Sequence, residues 1–197
     1  MDNLLNKAQL RELNEVWETD NLHWYEKEGR TSIKSSIQKG IPRPIYDVID
    51  QLYSPMVRHA VGKATGIDNL VPDPYWHNGG VFGGGMHQIP QGGFLKMHVD
   101  FNLHPKGLYR RANLLLYVNE EWNSEWGGNL QLGELVTVEP LGGRAVLFGT
   151  TEDSWHGHPE PLETPDGVSR RSIAVYYYTK TAPPGLADPH TTVYRSK

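Results

Sequence analysis

VFGGGMHQIPQGGFLKMHVD, residues 81–100, is the stretch from which the rest of the chain can be read. Two short runs, Gly84–Ile89 and Phe94–His98, flank the turn PQGG, and the second leads into His98-Val99-Asp100. Runs of this length bounded by Gly and Pro are the grammar of strands. A strand puts alternate residues on one face, so His98 and Asp100 present an imidazole and a carboxylate side by side.

Towards the C-terminus the same grammar continues. Strands are expected near Ala112–Val118, Asn129–Leu132, Val136–Val138, Ala145–Phe148 and Ser172–Tyr178, with turns at EWNSEWGG, PLGG and PLETPDGVS. Short strands with no helices between them predict an antiparallel sandwich or barrel. Towards the N-terminus the period changes. Leu4, Leu5, Ala8, Leu10, Leu13, Val16 and Trp17 are spaced for one face of a helix over residues 4–18. Pro42 and Pro44 open a second helical segment, Ile45 to about Lys63, which Pro55 should kink or split. Between the two lies Thr19–Gly40, polar and without a period, expected as a loop. Helices first and strands second make the fold class α+β, mainly β. The chain is expected to be one domain, with residues 1–80 as helical support, 81–180 as the β core and 181–197 as an irregular tail.

Composition narrows the chemistry. There is no cysteine among the 197 residues, which excludes disulfides, thiolate metal sites and cysteine nucleophiles. A net charge of −4 and the absence of a Lys/Arg run argue against a nucleic-acid-binding surface. No stretch approaches the roughly 20 apolar residues of a membrane span, and the N-terminus lacks the apolar core of a signal peptide. The expectation is a cytoplasmic protein with no membrane partner.

A second histidine answers His98 and Asp100. SWHGHP offers His156 and His158, two residues apart and on one face if extended. His156 follows the apolar run AVLFGTT by a short gap, as a residue at a strand mouth would; His158 abuts Pro159, where the chain is turning. His156 is the expected ligand and His158 the alternative. Two imidazoles and one carboxylate, with the opposite positions left open, form the facial triad of non-haem Fe(II) oxygenases. Beyond it, VSRRSIAVYYYT sets Arg170, Ser172 and Ala174 on one face and Arg171, Ile173 and Val175 on the other. A guanidinium with a hydroxyl two residues on is suited to a dicarboxylate's far end in an apolar cavity. Arg170 with Ser172 fits that task, and Arg171 is the alternative.

The order HVD … RRANLLLYVNEEWNSEWGGNLQL … VEPLGGRAVLFGTTEDSWHGHP … SRRSIAVYYY resembles the 2-oxoglutarate- and Fe(II)-dependent dioxygenase superfamily, in particular its prolyl 4-hydroxylase-like branch. The resemblance spans roughly Gly84 to Tyr178. It implies a double-stranded β-helix (a cupin-like jelly roll) with flanking N-terminal helices. His98, Asp100 and His156 fall where the family binds iron, Arg170 where it pairs the distal carboxylate of 2-oxoglutarate, and Ser172 is the usual companion. Tyr117 matches the family tyrosine that reaches the same carboxylate. Gln88 falls near a position where relatives place a co-substrate tyrosine; the departure makes it a weaker candidate, its amide donating a similar bond. The step of fourteen residues from His156 to Arg170 is longer than is common, and the extra length falls in PEPLETPDG, where it costs little.

The resemblance implies Fe(II), 2-oxoglutarate and O2, with ascorbate as an optional reductant. The activity implied is hydroxylation of a prolyl residue in a peptide or protein, or of free proline, with 2-oxoglutarate converted to succinate and CO2. The same chemistry on another small molecule is the second reading, since residues 19–44, 66–80 and 101–110 dictate no substrate. A non-catalytic cupin-like binding module is the third, and the Arg170/Ser172 pair argues against it. Gly83–Gly85 lacks a following helix and a GK[ST] and is not a phosphate loop. His104 is expected in a solvated loop, or else lining the substrate mouth; His59, His77 and His87 receive no role.

Overall fold

The computed structural model describes residues 1–19 and 21–195. Helix α1 (Lys7–Trp17) begins at a capping box, in which Asn6 accepts from the Gln9 amide and Gln9 accepts from the Asn6 amide, each at 3.0 Å. It buries Leu10, Leu13, Asn14 and Trp17, one stripe of the helix. The expected second helix is two. α2 (Arg43–Leu52) buries Ile45, Ile49 and Leu52, and α3 (Pro55–Thr65) starts afresh with Ser54 as its cap and Pro55 in its first turn. Proline costs nothing there, because the amide it lacks would have had no helical partner.

Between α1 and α2 lies a correction. The expected loop Thr19–Gly40 contains β1 (Tyr25–Glu28) and β2 (Ile33–Ile37), an antiparallel hairpin. Its inward residues are Lys27, Lys34 and Ser36, which line a cavity rather than a core. With Ile37 as the single core residue of the pair, the hairpin carries too little hydrophobic alternation to read.

The seven expected strands all form, with ends shifted by a few residues: β3 (Gly85–Ile89), β4 (Leu95–Val99), β5 (Tyr109–Tyr117), β6 (Leu130–Leu132), β7 (Val136–Val138), β8 (Ala145–Gly149) and, after β9, β10 (Arg170–Thr179). The sequence reading missed β9 (His156–His158) and β11 (Val193–Tyr194). The tail is therefore not wholly irregular: β11 pairs with β4 at Val99 and His98. Ser196 and Lys197, the end of that tail, lie outside the described residues. Two antiparallel sheets result, a six-stranded one in the order β1-β2-β3-β10-β5-β8 and a five-stranded one in the order β11-β4-β9-β6-β7.

Alternation on the larger sheet separates core from site. Ile173, Val175 and Tyr177 of β10 join Ala112, Leu114 and Leu116 of β5, and Val118 just after it, in the hydrophobic cluster that packs under α1 and α2. The opposite face of the same strands, with Arg170, Ser172, Tyr176, Asn113 and Leu115, faces the cavity. Gly85 is required where β2 and β3 press together. Its φ is +90°, and a Cβ there would lie 2.2 Å from the carbonyl oxygen of Ile37. Among the described residues, no helix is long and apolar enough to cross a membrane.

Candidate active site

The smaller sheet brings His98, on β4, opposite His156, on β9, in direct register. Gly157 makes the approach possible, since a Cβ on it would meet the backbone oxygens of Leu95 and Lys96 at 2.7 and 2.8 Å. One ligand atom from each of His98, Asp100 and His156 lies within 4.8 Å of the others, and all three residues are buried. His98 Nε2 is 3.6 Å from Asp100 Oδ1, and His156 Nε2 is 3.3 Å from Asp100 Oδ2.

Hydrogen bonds on the far side of each ring decide what those nitrogens offer. His98 Nδ1 is 2.9 Å from the Lys96 carbonyl, and His156 Nδ1 is 2.8 Å from the Ser154 carbonyl. A carbonyl only accepts, so both Nδ1 atoms carry hydrogen, and in the neutral rings both Nε2 lone pairs point at the carboxylate. Burial is the largest influence on the His98 ring and lowers its pKa, which favours that neutral form. Two lone pairs and an anion converging in a dry pocket repel one another unless a cation lies between them. The donor set fits a divalent metal, and the outer hydrogen bonds fix its ligands as metal sites require.

The carboxylate is held by two residues that the sequence reading missed. Arg110 Nη2 lies 2.8 Å from Asp100 Oδ2, and Asn113 Nδ2 donates to the same oxygen at 2.7 Å. Arg110 Nε also donates to Asn113 Oδ1 at 2.9 Å, closing the network. The guanidinium is sandwiched between Tyr176 and Phe101, at 3.4 and 4.5 Å from the ring centroids. Burial alone would raise the Asp100 carboxyl, but the charge of Arg110 beside it holds it well below the carboxylate range.

Across the cavity the larger sheet supplies a buried guanidinium. Arg170 Nε donates to the Gly128 carbonyl at 2.8 Å and Nη2 to the Tyr117 hydroxyl at 3.0 Å, both groups buried. Ser172 stands directly between Tyr117 of β5 and His87 of β3 in the register. His98, Asp100, His156, Arg170 and Ser172 all line one cavity of about 310 Å³. Arg171 points the other way, to Asn14 at 2.8 Å and to Glu18, and tethers α1.

Gln88 is a correction. It pairs with Arg171 on the face away from the cavity, while its neighbours His87 and Ile89 line the cavity. A one-residue offset in a strand reverses the face. His87, given no role in sequence, is thus in the site, with Nε2 donating to the Gly83 carbonyl at 3.1 Å. His158 also faces the cavity, and neither of its ring nitrogens has a partner among the described residues. His104 is not solvated. It is buried beside Asp73, its Nε2 3.6 Å from Asp73 Oδ1, and does not line the cavity.

Residues 84–178 match the family model described as the 2OG-Fe(II) oxygenase superfamily. That segment is a 2OG-Fe(II) oxygenase domain. Fe(II) and 2-oxoglutarate are the cofactors of the oxygenase, and the convergent donor set and the buried Arg170 clamp fit them. Its fold is that of prolyl hydroxylases. A Pseudomonas putida prolyl-4-hydroxylase is 19 % identical, covering 92 % of this chain and 91 % of that one, with a TM-score of 0.61. A Trichoplax adhaerens prolyl hydroxylase, solved in complex with a hypoxia inducible factor peptide fragment, is 20 % identical, covering 91 % and 82 %, with a TM-score of 0.63. HygX from Streptomyces hygroscopicus, solved with nickel, 2-oxoglutarate and hygromycin B, is 13 % identical, covering 91 % and 81 %, with a TM-score of 0.55. A search of curated protein sequences returned no match.

Proposed function

We propose that the oxygenase hydroxylates a prolyl residue of a peptide or protein, or free proline. The observation that carries this reading is the meeting, in one cavity, of a His98/Asp100/His156 donor set from one sheet with the guanidinium of Arg170, held by the buried Tyr117, from the other. The likeness in fold to prolyl hydroxylases supports proline as the substrate class.

When bound, Fe(II) with 2-oxoglutarate and O2 supplies the oxidising power, and 2-oxoglutarate leaves as succinate and CO2. The chain's residues do the rest. His98, Asp100 and His156 hold the metal, with Arg110 and Asn113 fixing the carboxylate. Arg170 presents its guanidinium to the distal carboxylate of the co-substrate, and Tyr117 and Ser172 add hydroxyl donors. His158 brings an imidazole without a hydrogen-bond partner among the described residues to the same cavity. Burial keeps that pocket dry, so each charged contact is stronger than in water. Leu115, Leu130 and Ile89 close the apolar walls.

The test is to incubate the purified chain with Fe(II), 2-oxoglutarate and O2, adding proline or proline-containing peptides. Succinate formed in step with a hydroxylated proline product supports the reading; turnover indifferent to every proline compound opposes it. The second reading, the same chemistry on another small molecule, is favoured by the likeness to HygX, whose structure contains hygromycin B. It predicts that a non-prolyl compound replaces proline in that assay.

A further inference from the structure

The β1–β2 hairpin carries, on the face that lines the cavity, a charge arrangement that the proposed chemistry does not use. Lys27 and Lys34 are direct partners across β1 and β2, and both line the cavity. Like charges placed directly opposite on a strand pair are destabilising. Lys27 has a partner of its own, donating to the Tyr194 hydroxyl at 2.9 Å. Lys34 makes no hydrogen bond or ion pair among the described residues, and its surroundings act on it through burial and the charges of Lys27, Asp100 and Arg110.

The wider balance points the same way. The chain as a whole carries −4, yet among the described residues the charged side chains lining this cavity are Lys27, Lys34, Arg110 and Arg170 against the single carboxylate of Asp100. Loading the site does not correct this, because the two positive charges of Fe(II) and the two negative charges of 2-oxoglutarate cancel. Arg110 is committed to Asp100 at 2.8 Å, and Arg170 lies at the clamp with Tyr117. Among the described residues Lys27 and Lys34 face no anion, and Lys34 alone of the two also lacks a hydrogen-bond partner.

We infer that the hydroxylated substrate carries a carboxylate, and that Lys34, with Lys27 beside it, receives it in the cavity. The inference rests on the oxygenase reading above and narrows it. An internal prolyl residue brings no charge of its own, so the carboxylate is either that of a free amino acid or that of an acidic residue next to the target. Lys34 then selects the substrate by charge while Arg170 selects the co-substrate, each by an ammonium or guanidinium in a partly desolvated place.

The test uses the full chain loaded anaerobically with Fe(II) and 2-oxoglutarate, whose visible absorption band reports substrate arriving beside the metal. Matched pairs are titrated: L-proline against L-prolinamide, and a short peptide with Glu beside an internal proline against the same peptide with Gln. One carboxylate member is expected to perturb the band with an affinity roughly 10- to 100-fold above its amide, the range of a charge-assisted hydrogen bond. Which pair shows it identifies the source of the carboxylate. Lys34→Gln should abolish the preference, Lys34→Arg should retain much of it, and neither should change 2-oxoglutarate affinity. Carboxylate and amide acting alike, no carboxylate acting, or Lys34→Gln weakening 2-oxoglutarate instead would overturn the inference. Failure of the band to form at all would count against the oxygenase reading itself, so the two failures are distinct.

Discussion

Arg170 and Arg171 are chemically identical neighbours with opposite tasks, and the strand alone divides them. Arg170 enters the cavity and meets Tyr117, whereas Arg171 meets Asn14 and Glu18 of the helical layer. Arg170→Ala should raise the 2-oxoglutarate dissociation constant by one to two orders of magnitude, about the worth of a charged hydrogen bond, with metal binding unchanged. Arg171→Ala should leave that constant alone and lower thermal stability by loosening α1. Calorimetric titration of the co-substrate beside thermal unfolding checks both. Arg110 is the residue for a second prediction. With Arg110→Met, Asp100 keeps only Asn113, and Mn(II) or Fe(II) affinity should fall roughly 10- to 100-fold, as for other outer partners of metal ligands. Metal affinity unchanged from the native chain would show that Arg110 serves packing alone. At this scale the His98/Asp100 pair was legible because its spacing is local, and His156 because a histidine follows the apolar run of β8. Arg110 was not, because only the return of β5 past the end of β4 brings it to Asp100. Gln88 failed for a related reason: a count of residues from His98 cannot fix a face across an intervening turn.

The elements were legible where one face is apolar. α1 and α2 announce themselves by leucine and isoleucine at helical spacing, and β5 and β10 by their apolar runs. The β1–β2 hairpin does not, since Lys27, Lys34 and Ser36 replace the alternating apolar residues of a core strand. β9 was hidden because His-Gly-His has no β-forming residue; its place is set by Gly157 against β4. On β3, His87 gives an element-scale prediction. Burial first, then the charge of Lys34, pushes its ring down to about 3. An exposed histidine titrates near 6.5, so the unfolded chain binds a proton that the folded chain refuses. The stability that the neutral ring permits is complete above about pH 6.5 and is lost as pH falls towards 3. Denaturant unfolding at pH 7 and pH 5 should show a clear loss in the native chain. His87→Leu should reduce that loss, leaving the part due to His98 and His158, which burial also lowers. Equal losses in both proteins would contradict the assignment.

At the scale of the molecule, the larger sheet carries the helices on one face and half of the site on the other, and the smaller sheet brings the remaining half. Neither sheet holds a complete site. His98, Asp100 and His156 come with the smaller one, and Arg170, Ser172 and Tyr117 with the larger. Sequence order made this pairing readable, because the motifs follow one another as the two sheets exchange strands. The β1–β2 hairpin and β11 were not readable: the hairpin is polar on its cavity face, and β11 is two residues whose pairing with β4 is long-range. The central claim is that the two halves bind one metal and one co-substrate together. It is tested most directly by titrating Fe(II) and 2-oxoglutarate anaerobically into the purified chain and recording visible absorption. A weak metal-to-ligand charge-transfer band should appear only with both present, vanish in His98→Ala and Asp100→Ala, and require far more 2-oxoglutarate in Arg170→Ala. Iron bound without any such band would contradict the claim and leave a metal-binding barrel in place of an oxygenase.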